Sequence, residues 1–286
     1  MIVCLYGKPD WLPIQSALFA ATEGAEAVEF IYVCNSPELA ERLDKELRIA
    51  ALTYGLDQQV VLLGGNAGFA AACNIGAARA RSDRLIFANP DLFPCEEDWL
   101  ARHRAILAAW PAEATRLFGG LLHYDDGSLM HAGMYVETDL FPSRDGVVSR
   151  DGLVPILRVE HYGKGFPAAS PRFSRPRPVP AVSGALMCLD REWFETLGGF
   201  STDYVYGHYE DADLCLRSLM RGVAPWVHGL RFWHLEGKGG AGAPGGQAAA
   251  ALNRWRFTRT WKDVVAAGLG GPRPTHPALR DLEAAG

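Results

Sequence analysis

The sequence predicts an α/β fold in which helices flank a mostly parallel sheet. Short apolar, β-branched runs alternate with helical runs through residues 1–118. Strands that alternate with helices in this way form right-handed βαβ units, whose strands lie parallel. The chain has 286 residues, 49% of them hydrophobic, which is enough to bury a large core.

The first half contains the clearest elements. Its predicted strands are residues 1–6, 28–34, 59–64 and 84–89, and its predicted helices are residues 14–22, 37–55 and 66–81. In the second helix Leu39, Leu43 and Leu47 recur close to the helical period, with Pro37 near the start and Gly55 past the end. Ligands bind such sheets at the carboxyl ends of the strands, so the loops there should share one edge: residues 6–11, 34–37, 64–69 and 89–94.

The pattern changes after Gly119. A hairpin is predicted around the Asp-Asp-Gly turn at 125–127, and a long segment rich in Pro, Gly and Arg follows at 142–180. Such segments are usually functional loops or disordered. Later predicted elements are a strand at 179–190, helices at 191–200 and from 210, a strand at 229–237, and a helix at 248–268. Residues Gly237 to Gly246 form either a lid or a plain linker, and residues 270–286 form a frayed tail.

Composition narrows the class of protein. The net charge of −5 gives no field for non-specific capture of nucleic acid. The six cysteines form no CxxC pair, which is typical of reduced core thiols. The apolar start of the chain is too short for a signal peptide, and no stretch approaches the roughly 20 apolar residues needed to span a bilayer. These features favour the cytoplasm, with the inner face of the membrane as a possible location.

One candidate ligand site follows the fourth strand. Asn89, Pro90 and Asp91 would present an amide and a carboxylate at the ligand-binding edge, although an ordinary turn is an equally good reading. A single carboxylate beside a nucleotide diphosphate suits Mg²⁺ or Mn²⁺. His234 ends a later strand and could reach the same edge, whereas a lone histidine is more often a satisfied structural residue.

A second candidate site is the run of acids Glu210, Asp211 and Asp213 before an amphipathic stretch. Acids in a first turn stabilise a helix, which accounts for one of the three. Adjacent carboxylates near a metal and a pyrophosphate would have coupled pKa values, and one could act as a general base. The predicted buried stripe of this helix is Ala212, Cys215, Leu216, Leu219 and Met220.

The segment GGNAGFAAACNIG superficially resembles a dinucleotide fingerprint, but its glycine spacing does not fit. Gly68 and Gly76 suit tight turning and close helix packing. Asn66 and Asn74 are harder to explain by packing, because Asn is a poor residue inside a helix.

Two longer blocks, NAGFAAACNIGAARARSDRLIFANPD and VSGALMCLDREWFETLGGFSTDYVYGHYEDADLCLR, are similar to the family 2 glycosyltransferases of GT-A fold. The segment LLHYDDGSLMHAGM resembles members that build bacterial surface polysaccharides, including rhamnosyltransferase-like ones. The resemblance covers about residues 2–262. It implies a GT-A domain at 1–262, with a nucleotide-sugar half at 1–118, an acceptor half at 119–262 containing a smaller sheet, and a tail at 263–286.

The resemblance also implies a reaction and roles for residues. A hexosyl or deoxyhexosyl group would pass, with inversion, from a nucleotide-diphosphate sugar to a hydroxyl of a glycan or lipid-linked acceptor. Asp211 matches the general base, Glu210 its neighbour at the acceptor, Asp91 the metal-binding acid, and His234 the histidine that completes metal or pyrophosphate binding. The donor-binding residues expected on this basis are Tyr6, Asn35, Asn66, Gly68, Asn74, Asn89, Asp91 and Lys164.

Two features depart from the family pattern. Cys34 and Asn35 stand where many members carry an acid that holds the nucleotide base, and Asn89 replaces the first acid of the DxD motif. The arginines at 172, 175 and 177 form either a solvated basic loop or a contact for an anionic acceptor.

Two other functions compete with that of a glycosyltransferase. One is a catalytically idle module that binds nucleotide-sugar or glycan within a larger assembly. The other is a nucleotidyltransferase, which should carry a glycine-rich phosphate loop after the first strand, and this chain does not supply one there.

Overall fold

A computed structural model describes residues 1–7, 10–142, 153–235 and 245–271. The strands are β1 (Ile2–Leu5), β2 (Glu29–Cys34), β3 (Asp57–Leu62), β4 (Arg84–Ala88), β5 (Leu92–Pro94), β6 (Leu117–His123), β7 (Leu129–His131), β8 (Met134–Pro142), β9 (Leu153–His161), β10 (Arg177–Pro178), β11 (Leu186–Asp190) and β12 (Trp226–His234). The helices are α1 (Leu12–Ala20), α2 (Ala40–Tyr54), α3 (Gly68–Arg79), α4 (Trp99–Ala109), α5 (Ala112–Thr115), α6 (Pro171–Ser174), α7 (Arg191–Thr196), α8 (Glu210–Met220) and α9 (Gly246–Val264). Short 3-10 turns lie at Ala25–Ala27 and Pro37–Leu39, and a π-turn at Val265–Leu269 extends α9.

One large sheet organises the molecule, in the order β10-β12-β6-β11-β4-β1-β2-β3. Its first-half strands β4, β1, β2 and β3 are parallel, as predicted. Strand β11 is antiparallel to both β4 and β6 and joins this part to the parallel pair β6 and β12. The short strands β5 and β7 pair with β12 and β6. The α/β fold class with a mostly parallel central sheet is confirmed.

Both faces of the sheet are buried, and the alternation of side chains along β1 shows how. Ile2 and Cys4 pack with α3, α7, α8 and α9, whereas Val3 and Leu5 pack with α1, α2 and α4 on the opposite face. A strand covered on both faces needs apolar residues at every position, which is why β1 reads as a continuous apolar run. Helix α2 ends as predicted, with Gly55 in the left-handed conformation at φ 68°.

The second half contains both confirmed and unexpected elements. The hairpin around residues 125–127 is present as β6 and β7. The segment at 142–180, predicted as a loop, instead carries β9, α6 and β10, and β8 and β9 form a separate two-stranded sheet. Strand β11 starts at Leu186, later than predicted, and β5 and α4 were not predicted.

The ends of two predictions lie partly outside the described residues. Of the segment Gly237 to Gly246, only residues 245 and 246 are described, at the start of α9. Residues 263–271 remain packed, since the Val136 N–H donates to the Gly270 carbonyl at 2.8 Å, and the rest of the predicted tail, 272–286, lies outside the described residues. The proposed division into halves at residue 118 stays a prediction.

Within the described ranges no helix is both long and apolar enough to cross a bilayer. The six cysteines are unbridged, as predicted, and the Sγ atoms of Cys4 and Cys73 lie 3.3 Å apart.

Candidate active site

A cavity of about 690 Å³ opens at the carboxyl ends of the central strands. Its walls come from the end of β4, the end of β12, the loop before β11, the loop that enters α8, and α9. Asn89 and His234 line one part of it, and Glu210 and Asp211 line another. The structure therefore brings the two candidate sites of the sequence into one cavity.

Asn89 and His234 line the floor of this cavity, and Asp91 lies beside His234, outside the cavity lining. Strand pairing places them there: β5 follows the Asn-Pro-Asp turn and pairs with β12, with His234 opposite Leu92. The His234 Nε2 atom lies 3.4 Å from an Asp91 carboxylate oxygen and 3.2 Å from the Asn89 amide nitrogen. Asp91 is only 2% exposed, so its carboxylate is almost entirely shielded from solvent.

A buried glutamine holds the turn in place. The Gln15 side chain, from α1, donates from Nε2 to the carbonyls of Asn89 at 2.8 Å and Leu92 at 3.1 Å. The sequence offered a signal for it, because Gln15 is a polar residue in an otherwise apolar helix and is fully buried. The turn therefore has little freedom to move.

The donor atoms at this floor fit a divalent cation that is shared with a diphosphate. One carboxylate, one imidazole and one amide are within reach of each other, and Mg²⁺ or Mn²⁺ commonly takes few protein ligands and completes its shell with phosphate oxygens and water. In the described part of the chain no group of three or more His, Cys, Asp or Glu side chains could hold a metal alone. A cation here would depend on oxygens from the bound donor.

The two acids at the start of α8 have different surroundings. Asp211 is half-buried at the cavity, and its carboxylate accepts from the Gly184 N–H at 2.9 Å and the Ala212 N–H at 2.7 Å. Glu210 is 5% exposed, and within the described structure its Oε2 atom has no hydrogen-bond partner. The loop before β11 thus donates a hydrogen bond to Asp211, and Glu210 is less exposed to solvent than Asp211.

These surroundings shift the pKa values of Glu210 and Asp211 to different extents. Burial, with the neighbouring Asp211 carboxylate, raises the pKa of Glu210 to about 8. Burial also raises the pKa of Asp211, but the N–H groups of Gly184 and Ala212 oppose the rise by stabilising its anion. The rise is larger for Glu210, so the surroundings of this coupled pair favour the proton on Glu210 and the charge on Asp211.

Asp213, predicted to stabilise the helix start, has a tertiary role. Its carboxylate accepts from the Trp261 indole at 2.9 Å, the Tyr204 hydroxyl at 3.2 Å and the Arg217 guanidinium at 2.8 Å. It ties α8 to α9 away from the cavity. Met220, predicted in the buried stripe of α8, is 56% exposed because it lies in the last turn.

Three of the expected donor-binding residues hold the loop that leads into α3. Asn35 is buried, and its amide donates to the Gly68 carbonyl at 3.2 Å and accepts from the Ala67 N–H at 3.1 Å. The exposed Asn66 accepts from the Gly68 N–H at 2.9 Å. Gly68 has a φ of 81° and packs against the backbone of Tyr206, where an added Cβ would lie 3.3 Å from main-chain atoms.

Of the eight expected donor-binding residues, Asn89 alone is in the cavity lining of the described structure. Both amide atoms of Asn74 pair with the backbone of Phe200, at 2.8 and 2.9 Å. This pairing, in the middle of α3, explains why an asparagine stands at position 74, which helix packing does not explain. Tyr6 is half-buried at the end of β1, and Lys164 is exposed after β9.

The arginine cluster divides in two. Arg177 is half-buried and donates to the carbonyls of Ala132 at 2.5 Å and Phe173 at 3.0 Å, so it fixes its own loop. Arg172 and Arg175 are exposed, and Arg172 lies over the Phe173 ring at 5.5 Å. Arg177 therefore has a structural role in its own loop, which neither interpretation of the cluster included, and the contact with an anionic acceptor stays a prediction for Arg172 and Arg175.

Two residues at or next to the cavity, His131 and Arg254, were not predicted, whereas His161 was expected to contact the diphosphate or the acceptor. His131 is buried, and its Nδ1 lies 2.9 Å from Nδ1 of His161, which lines the cavity. Burial, with His161 close by, lowers the pKa of His131 well below its usual range, so His131 is neutral. Arg254 of α9 also lines the cavity and pairs with Asp139 at 2.7 Å.

Comparison with known proteins adds to this geometry. No family model matches the sequence. An uncharacterised protein of Sinorhizobium fredii, y4gI, is 27% identical over 163 residues, which are 56% of this chain and 16% of that protein. The chain therefore spans about one sixth of the length of this curated relative.

Solved structures show the fold. GalNAc-T7, solved with UDP, GalNAc and Mn²⁺, matches with a TM-score of 0.58 and 16% identity over 91% of this chain and 47% of its own. The mannosyltransferase PcManGT of Pyrobaculum calidifontis, solved with GDP-mannose and Mn²⁺, matches with a TM-score of 0.54 and 16% identity over 99% and 78%. The S. aureus protein TarS matches with a TM-score of 0.54 and 12% identity over 82% and 36%. This chain has the fold of the GT-A-like glycosyltransferases.

Proposed function

We propose that the protein is an inverting glycosyltransferase that moves a sugar from a nucleotide-diphosphate sugar to an acceptor hydroxyl. The observation that carries the proposal is the arrangement of one cavity. Asp211, whose surroundings favour its anion over that of Glu210, lines the same cavity as Asn89 and His234, and Asp91 lies beside His234. A displacement at a sugar carbon requires a base for the attacking hydroxyl and a site for the departing diphosphate, and these residues are our candidates for the two roles.

Asp211 is the general base in this proposal. It removes the proton of the acceptor hydroxyl, the oxygen forms a bond to the anomeric carbon, and the bond from that carbon to the diphosphate oxygen breaks. Attack from the face opposite the diphosphate inverts the configuration. Glu210 is a poor base near neutral pH because it already holds a proton, and its role is to stay close to Asp211 and the acceptor.

Asp91 and His234 hold the diphosphate end together with Asn89. A divalent cation bound there would supply positive charge to the leaving nucleoside diphosphate. Asp91 is buried with a carboxylate oxygen 3.4 Å from Nε2 of His234, which lines the cavity, and this contact supports the assignment. His161 lies on the same cavity and is placed to contact the diphosphate or the acceptor.

The fold neighbours support the donor class. GalNAc-T7 and a truncated TarS were each solved with UDP, and PcManGT with GDP-mannose. For this chain we propose a UDP-, GDP- or dTDP-linked hexose or deoxyhexose. The same proposal places the chain in glycosyltransferase family 2 and gives it a glycan or lipid-linked acceptor. It also places the protein in surface-polysaccharide assembly at the cytoplasmic side of the membrane.

The test is a donor screen on the full chain with and without Mn²⁺. Thermal shift identifies the donor that binds, and release of the nucleoside diphosphate measures turnover. Asp211→Asn should keep donor binding and lose at least about 100-fold in kcat, because it removes the base alone. Asp83→Asn, an exposed acid before β4, is the matched control and should behave as the wild type.

Two outcomes would contradict the proposal. Donor binding without turnover in the wild type would favour an idle nucleotide-sugar-binding module. Equal turnover by wild type and Asp211→Asn would remove Asp211 from its role as base.

A further inference from the structure

The backbone that enters α8 is strained. Tyr206, His208 and Tyr209 have φ angles of 61°, 80° and 77°, so three non-glycine residues among four consecutive positions are left-handed. A left-handed non-glycine residue costs about 1–3 kcal/mol and persists where its surroundings over-determine it. The strain sits directly beside the acids Glu210 and Asp211, and Gly207, His208 and Tyr209 themselves line the cavity.

A single side chain from α9 fixes this loop. Asn253 is fully buried, and its Nδ2 donates to the carbonyls of Val205 at 2.8 Å, Gly207 at 2.7 Å and His208 at 3.5 Å. Its Oδ1 accepts from the Val205 N–H at 2.8 Å. One amide thus pairs with the main chain of three residues of a strained loop.

The loop has a second attachment on its other side. The Phe69 N–H donates to the Tyr206 carbonyl at 2.6 Å, and Phe69 itself lines the cavity. The loop is therefore held between the start of α3 and the middle of α9.

Helix stability does not account for Asn253. Asparagine is unfavourable inside a helix, and a buried amide costs free energy unless it is hydrogen-bonded. Asn253 lies on the buried face of α9 with the apolar residues Phe257 and Trp261. Its bonds all go to the loop, and the adjacent residues Ala250, Ala251 and Arg254 form a wall of the cavity.

We propose that Asn253 is a positioning residue for sugar transfer: it holds the loop of residues 205–209, with its three left-handed residues, so that Asp211 faces the acceptor hydroxyl while Glu210 remains buried. This inference rests on the proposed function. Asn253 contacts neither donor nor acceptor in this role and acts through the loop. Helix α9 then has two tasks, as a wall of the cavity and as the support of the base.

The first test separates kcat from KM. In Asn253→Ala the loop loses its four side-chain bonds, and a displacement of the base by about 1 Å should lower kcat by about 100-fold. The KM for the donor should stay within about threefold, because the Asn89, Asp91 and His234 cluster belongs to other elements. Asn253→Asp keeps the volume, loses the donor atom, and provides a second variant should the alanine variant fold poorly.

Thr258→Val is the matched control on the same helix. Thr258 is buried, and its hydroxyl accepts from the Leu157 N–H at 2.9 Å, so the change breaks a tertiary hydrogen bond between α9 and β9 that does not involve the loop. It should lower the melting temperature as the Asn253 variants do and leave kcat unchanged.

The second test does not depend on turnover. Carbon-13 NMR of labelled glutamate carboxyls, assigned with Glu210→Gln, follows the titration of Glu210 directly. Opening of the loop admits water, so in Asn253→Ala the pKa of Glu210 should move from about 8 toward the ordinary 4.5, whereas Thr258→Val leaves it in place.

The outcomes distinguish the two proposals. Absence of turnover in the wild type together with a shifted Glu210 titration in Asn253→Ala would overturn the proposed function and retain the loop assignment. A Glu210 titration that is the same in Asn253→Ala, Asn253→Asp and wild type, or a fall in kcat matched by Thr258→Val, would overturn the role of Asn253.

Discussion

The buried carboxyl of Glu210 should make the stability of the protein fall steeply with pH, and Glu210→Gln should remove most of that dependence. Glutamine has the shape of the protonated acid and cannot ionise. Between the pKa of an ordinary glutamate, 4.5, and the value of about 8 in the folded protein, the native state keeps a proton that the unfolded chain has released. Unfolding free energy therefore decreases as pH rises through this window.

The size of the effect follows from the two pKa values. One pH unit corresponds to about 1.4 kcal/mol for a single proton. From pH 4.5 to about 8 the ionisation of Glu210 accordingly lowers the free energy of unfolding by about 5 kcal/mol at most. That is a large fraction of the stability of a typical domain, about 5–15 kcal/mol.

The assay is urea denaturation at several pH values from about 5 to about 8, followed by tryptophan fluorescence. Wild type should lose several kcal/mol across the series, and Glu210→Gln should lose much less and be the more stable protein at the alkaline end. Glu41→Gln, an exposed acid of α2, is the control and should follow the wild type.

A specific result would refute the reasoning. Equal slopes of unfolding free energy against pH for wild type and Glu210→Gln would mean that Glu210 ionises without penalty in the folded state. The assignment of the shared proton to Glu210, and with it the choice of Asp211 as base, would then lose its support.

Two further predictions concern the cavity floor and the core. His234→Ala should weaken Mn²⁺ binding in the presence of UDP by at least about 10-fold by calorimetry, because it removes the imidazole 3.4 Å from Asp91; unchanged affinity would place the cation elsewhere. Gly76→Ala should destabilise by about 1–3 kcal/mol in urea denaturation, because the new Cβ would lie 2.5 Å from Ile2 Cγ2 and 3.1 Å from Val33 Cγ2; a neutral effect would show that β1 and α3 separate easily.

The central sheet was predictable because strands buried on both faces carry uninterrupted apolar runs. Strand β9 was missed for the opposite reason. It belongs to a two-stranded sheet away from the main one, its partner is β8, and it contains Pro155, which normally argues against a strand. Its pairing depends on residues of β8 that precede it in the chain, and a local pattern does not contain that information.

The floor of the site was predictable from strand ends alone. Asn89, Asp91 and His234 each terminate or follow a strand, and strand ends at one edge of a sheet meet. The asparagines were harder to place, because an amide binds a main-chain segment as well as it binds a ligand. Asn35 and Asn74 pair with backbone, at Gly68 and Phe200, and nothing in their local sequence distinguishes the two uses.

The helical pattern of the sequence contained a sign that Asn253 is buried. Asn253, Phe257 and Trp261 are spaced by four residues, so they share one face of α9, and a polar residue on such an apolar face needs a partner. The partner itself, residues 205–208, lies more than forty residues earlier in the chain. The need was visible from sequence, and the identity of the partner required the fold.

The three acids at the start of α8 point in different directions and have different roles. Successive residues of a helix point about 100° apart, so Glu210 and Asp213, three positions apart, both turn into the protein, while Asp211 faces the cavity. Asp213 and Asn253 anchor this turn to α9 through Trp261 and the loop before the helix. Rotation of α8 by one residue would therefore turn Asp211 away from the cavity. It would also break the contacts that Asp213 and Asn253 make, which is why the start of α8 must be fixed from two sides.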